Sequence, residues 1–298
     1  MKAMGLKKLS TAAVVAALAL VSASAQAQLI RAQDDDIEFV LTSTLQPKTS
    51  GTLAEGDIIV SVFEFPTYTI GGVNAIPAGQ EITGLAAIQI ADITGSTITF
   101  QPYTGGFNAI SPVDVTGGNA GEGAMIAVFQ NDTATFDLSL DFAENPATNC
   151  TDLAQCAAEG TAGTLLQVDG FSFLDADESW VATLLFGAGL DVGAVADASG
   201  TTLVAAYNAA LTTFFNSSGP IGGMVVGGDT ACDPALPGCI AGPTVSGTVT
   251  GGGGLGAEGA FARSDIDAQK LIAQVPEPTT LLLLGAGLLG LGAFRRRS

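Results

Sequence analysis

A chain of 298 residues with 29 acidic against 10 basic residues, a formal charge of −19 and no histidine narrows the chemistry before any motif is sought. Six of the basic residues lie in the terminal segments, so residues 28–275 hold only Arg31, Lys48, Arg263 and Lys270 against 28 acidic residues, a balance of −24. That field repels nucleic acid and anionic lipid, and the missing histidine excludes Ser-His-Asp and Cys-His catalysis, His-ligated metals and haem.

The chain opens with Lys2, Lys7 and Lys8 ahead of an apolar run from Leu9 to Val21 and the small-residue stretch Ser22 to Ala27. This is the pattern of a secretory signal peptide over 1–27, recognised by the Sec machinery. Ala25 and Ala27 fit the positions before the cut, so the mature chain is expected to begin at Gln28, with cleavage between Ala25 and Gln26 as the alternative. Gln33-Asp34-Asp35-Asp36 then reads as a solvated acidic start.

A series of strand-like segments follows. Ile37 to Leu45 alternates apolar and polar residues, Asp57 to Phe65 is rich in Ile, Val and Phe and stops at Pro66, and Glu81 to Ile90, Thr97 to Gln101 and Ala124 to Gln130 continue the pattern. Ala134 to Phe142 places Phe136, Leu138, Leu140 and Phe142 on one face and Asp137, Ser139 and Asp141 on the other. Leu165 to Leu174 and Ser179 to Phe186 are expected to form a hairpin across Asp175-Ala176-Asp177-Glu178. From Thr201 to Phe215, Leu203, Tyr207, Leu211 and Phe214 recur at helical spacing, which predicts one helix. Ile221 to Val226 and Thr244 to Thr250 read as late strands. Gly251 to Gly254 opens a flexible linker over 251–274, with a turn of helix at Ala268 to Ala273.

Four cysteines form two close pairs, Cys150 with Cys156 and Cys232 with Cys239. In an oxidising compartment the short loops favour local disulfides, although four cysteines allow three connectivities. Zinc would want Cys-x-x-Cys spacing or histidine, and neither is present. For calcium, Asp175, Asp177 and Glu178 offer oxygen ligands, but Trp180 and Phe186 stand where an EF-hand needs Gly and Glu. No cofactor is expected.

The tail is the most specific stretch. Val275-Pro276-Glu277-Pro278 precedes 16 uncharged residues, Thr279 to Phe294, and then Arg295, Arg296 and Arg297. As a helix the uncharged run spans about 24 Å, short of a hydrocarbon core of roughly 30 Å, with the arginines holding the C-terminus on the cytoplasmic side. The two prolines keep the preceding segment extended, a form that a transpeptidase can lay into a groove. These residues resemble a PEP-CTERM sorting signal. The resemblance, confined to 275–298, implies handling by an exosortase, a transient inner-membrane anchor and delivery to the cell surface or beyond. Systems of this kind accompany exopolysaccharide and biofilm or floc formation.

The expected organisation is therefore a signal peptide, a mainly β body over 28–250 of sandwich or jelly-roll type with one inserted helix, a linker, and a hydrophobic sorting helix. For the body, three readings stand: a non-enzymatic surface or matrix protein that meets exopolysaccharide, a calcium-dependent carbohydrate-binding module, and a carboxylate hydrolase. The last would need two carboxyls facing each other across an aromatic-lined cleft.

Overall fold

The computed structural model describes residues 27–115, 123–131, 150–171, 178–185, 189–216, 244–253, 255 and 257–273. Among these are twelve strands: β1 Ala27–Leu41, β2 Ile58–Ile70, β3 Val73–Asn74, β4 Glu81–Thr94, β5 Thr97–Pro102, β6 Ala124–Asn131, β7 Thr164–Gly170, β8 Ser179–Leu184, β9 Leu203–Ala210, β10 Thr212–Asn216, β11 Thr244–Gly251 and β12 Ala260–Ala273. Two short helices, α1 Leu153–Gly160 and α2 Val192–Ala196, and a 3-10 turn at Phe107–Ala109 lie between them.

All ladders are antiparallel, and they close on themselves. The order runs β4-β5-β8-β9-β11-β12-β1-β2, and β2 pairs again with β4, which makes a ring of eight strands. The sheet forks at β4: Glu81 to Ala86 pair with β6, which continues to β7 and β10, while Ile88 to Thr94 pair with β5. The result is a sandwich-like all-β body with a closed interior.

The runs that alternate least are those covered on both faces. Ile58 to Phe63 and Glu81 to Ile90 are buried without interruption. Ile37, Phe39, Ile58, Val60, Val62, Leu85 and Phe129 point outward into a core shared with Phe107, Leu255 and the Cys150–Cys156 disulfide beside α1. Asp152 caps α1 by accepting the Gln155 N–H at 3.0 Å, and the Gln155 side chain accepts the Thr151 N–H and hydroxyl in return. Inward, Ile59, Ile88, Ile98, Phe100, Trp180, Val204, Val245 and Phe261 fill the ring. Gly84 lets the Phe63 ring lie against β4, since a Cβ there would stand 2.2 Å from it.

Six expectations are corrected. The stretch from Thr201 to Phe215 is not a helix but β9 and β10, because Tyr207, Ala209 and Leu211 alternate inward with the exposed Asn208 and half-buried Ala210. β7 and β8 do not form a hairpin: β7 lies between β6 and β10, and β8 between β5 and β9. Pro66 does not end its strand. It falls where the β1–β2 register shifts, a bulge that needs no N–H from it.

The region read as a linker is ordered structure. Gly251, Gly252 and Gly253 donate backbone hydrogen bonds to Thr202, Val195 and Ala198, and a Cβ on Gly251 or Gly253 would meet Ala198 within 2.6 Å. Ala268 to Ala273, read as a turn of helix, belongs to β12. The acidic start, finally, is the middle of β1 rather than a solvated terminus, and Asp36 is fully buried. The segments Ala134 to Phe142 and Ile221 to Val226 lie outside the described residues.

Candidate functional site

The interior of the ring holds a cavity of about 90 Å³ whose walls are aliphatic and aromatic, with Asp36, Glu38 and Asp169 among its lining residues and no Lys or Arg. Asp36 and Glu38 are successive inward positions of β1, two residues apart as the strand period requires. Neighbouring strands supply the partners. Ser61 on β2 and Ser264 on β12 each donate a hydroxyl hydrogen bond to Asp36 Oδ2 at 2.6 Å, and the Ser264 N–H donates to Oδ1.

The Tyr207 hydroxyl lies 3.3 Å from Ser264 Oγ, and its ring stacks on Trp180 with centroids 6.1 Å apart. Gly247 makes room for that ring, because a Cβ there would come within 2.7 Å of the hydroxyl. Trp180 in turn meets Phe100 edge-on at 6.3 Å.

Glu38 has a different position from its neighbour. Burial, reinforced by the negative charge of Asp36, pushes its carboxyl well above the usual carboxylate range, and a hydrogen bond with Ser264 offsets part of this. On the β7 wall, Asp169 accepts from Thr213 Oγ1 at 2.6 Å and from Gln167 Nε2. A fourth buried acid, Asp57, sits at the mouth of β2. It pairs with Lys48 Nζ at 2.5 Å, and its Oδ2 also accepts the Ala54 N–H at 2.9 Å.

This arrangement can hold protons and donors in a largely apolar-walled cavity, but it is not a cleft. Asp36 and Glu38 stand side by side on one strand, and the cavity is smaller than the roughly 150 Å³ that accepts a benzene ring. Among the described residues no group of three His, Cys, Asp or Glu is placed to hold a metal. Of the calcium candidates only Glu178 is described; Asp175 and Asp177 lie outside the described residues. Cys150 and Cys156 form the expected disulfide, and Cys232 and Cys239 lie outside.

Sequence reasoning missed Asp36 and Glu38 as interior groups. A signal for them was present in Ser61, a lone hydroxyl inside the run Ile58 to Phe63, which needs a polar partner once that run is buried.

The other feature that bears on function lies in the terminal segments. Ala27 pairs with Ala273, Gln28 with Ile272 and Leu29 with Leu271, so the first and last of the described residues lie side by side on neighbouring strands. Ala25 and the segment from Val275 to Arg297 lie outside the described residues. No curated protein and no solved structure matches the chain. Residues 274–297 match the family model described as the PEP-CTERM protein-sorting motif, so the chain carries the tail of an exported protein that is sorted by an exosortase.

Proposed function

We propose that the body is a non-enzymatic component of the cell surface or extracellular matrix, delivered by exosortase processing and retained through contact with exopolysaccharide. The observation that carries this reading is the sorting motif at 274–297. Two features of the body support it. The interior carboxyls of Asp36 and Asp169 accept hydrogen bonds from hydroxyl and amide donors of neighbouring side chains. The outward face of β8, β9, β11 and β12 is built of short polar side chains such as Thr183, Asn208, Ser246, Thr248, Asp265 and Asp267, which suit many weak hydrogen bonds to a hydroxylated polymer.

Two measurements test the reading. Intact mass of the extracellular form is expected to show loss at both ends, with the new C-terminus close to Val275 to Pro278. Co-sedimentation with the exopolysaccharide of the producing cells is expected to deplete the released protein from solution. Recovery of a secreted form still carrying Arg295 to Arg297, or a failure to sediment with the polymer, would overturn it.

A further inference from the structure

We propose that the groove between the Thr42–Leu45 turn, the 3-10 turn and α1 docks a segment of a partner protein that carries a large aliphatic side chain beside an arginine.

The groove has a volume of about 560 Å³, within the range of roughly 300–1,000 Å³ usual for ligand sites. Leu45, Pro47, Ile110, Pro112 and Leu153 line it, and each is half-buried or exposed. Leu45 holds its place against the preference of the backbone. Its N–H donates to the Thr42 carbonyl at 2.9 Å, and the Thr42 N–H donates to the Gln46 carbonyl at 2.8 Å. That is a three-residue hairpin loop, whose last position takes a left-handed conformation best suited to glycine. Here the position is leucine at φ 61°, the one non-glycine residue of positive φ among the described residues. Glycine would relax the turn, so the leucine is kept for its side chain, which rests on the outer core and forms part of the groove wall.

Charge at one end of the groove selects the occupant. Asp152 and Glu258 are partners in a parallel bridge, with the Glu258 N–H donating to the Thr151 carbonyl at 2.7 Å, and both are exposed. Carboxylates opposed in this way repel each other. Among the described residues neither belongs to an ion pair. Beyond Glu258 a second hollow of about 460 Å³ adds Asp197, and no Lys or Arg lines either one. Lys48, between the lining residues Pro47 and Thr49, is turned away to Asp57. A planar, two-pronged guanidinium suits the carboxylate pair, while the aliphatic wall next to it takes an apolar side chain.

Other occupants match the groove less well. A second copy would bring the same charge of −24 over residues 28–275, and of the four basic residues there Lys48 is engaged and Arg263 is buried. A polysaccharide would lay its hydroxyls against Leu, Ile and Pro side chains that return no hydrogen bond.

The test measures fluorescence anisotropy of short labelled peptides with the protein as secreted. In the test peptides Leu or Ile stands next to Arg; in the controls Glu replaces the Arg, or Ser replaces the aliphatic residue. The test peptides should bind roughly tenfold more tightly than either control at low salt, and the advantage over the Glu control should shrink as salt rises. Leu45→Gly should stay folded by circular dichroism and lose the preference for Leu over Ser. Asp152→Asn with Glu258→Gln keeps the cap of α1 and should lose the preference for Arg over Glu while retaining that for Leu over Ser.

Equal binding of test and control peptides would overturn the docking site. So would preferences that either variant leaves intact, which would place the peptide elsewhere. Self-association of the wild type that Leu45→Gly abolishes, or tighter binding of an amino-sugar oligomer that the same variants weaken, would give the groove to a different occupant and equally sink the proposal.

Discussion

Asp36 and Asp57 are both buried acids held by β1, β2 and their neighbours, yet the fold treats them in opposite ways. Asp57 stands at the mouth of β2, where the loop carrying Lys48 can swing a cation onto it; the same ammonium donates to the Thr52 carbonyl at 2.7 Å. Asp36 faces the interior from the middle of β1, where only the short side chains of adjoining strands reach. Its negative charge is spread over Ser61, Ser264 and a backbone N–H, and its neighbour Glu38 is driven toward the neutral acid. Charge is matched by charge at the rim and by dipoles and a proton inside, which is how a body with almost no basic residues can still bury acids.

That contrast can be broken from several sides. Asp36→Ala should have the largest effect, because it leaves two serine hydroxyls and an N–H without their acceptor and opens a void; a loss of about 3–5 kcal/mol is expected in urea denaturation. Lys48→Met should cost less, about 1–3 kcal/mol, since the Ala54 N–H still serves Asp57 and the pair sits near solvent. A loss as large as that of Asp36→Ala would erase the distinction between rim and interior.

Glu38→Gln sharpens the comparison through pH. The folded protein holds the Glu38 proton above the ordinary value of 4.5, so the wild type loses stability as pH rises from there through the folded pKa. The amide variant does not titrate in that window. Its stability relative to the wild type should therefore climb with pH, and the other acids cancel in the difference. Parallel stability curves from pH 4.5 to 8 would contradict the buried neutral acid. Smallest of all, Tyr207→Phe should cost about 0.5–1 kcal/mol, the net worth of one long neutral hydrogen bond to Ser264.

Much of the architecture was legible because most strands carry their own pattern. β2, β4, β5, β6 and β11 are where Ile, Val, Phe and Thr accumulate between Gly-bearing turns. β9 was not, for a definable reason. Leu203, Tyr207 and Leu211 are spaced by four, a multiple of the strand period as well as close to the helical one, and the residues that break the tie, Ala205 and Ala209, are too small to register as an apolar face.

The glycines at 251–253 show a second limit. Composition cannot separate glycine used for freedom from glycine used for close approach, and here Ala198 occupies the space a side chain would need. For the interior, the acids of β1 read as solvent-facing because charge is normally wet. Only the ring closure, which pairs residues more than 220 positions apart, reveals that both faces of β1 are covered.

The same seam has a consequence for the order of events during folding. β1 is among the first parts of the body to be made and β12 among the last, so the ladder from Ala27–Ala273 to Phe39–Ala260 joins the most distant parts of the described chain. Contacts of such sequence separation form slowly, since the intervening chain must be organised before they are favourable. Until β12 arrives, β1 has β2 on one side and an open edge on the other, with Asp34 to Asp36 and Glu38 along it. A hydrophobic edge left open that long would invite pairing with other chains; a run of carboxylates discourages it. The acids of β1 can in this way protect the unfinished fold, keeping the edge of β1 available for the strand that completes the ring.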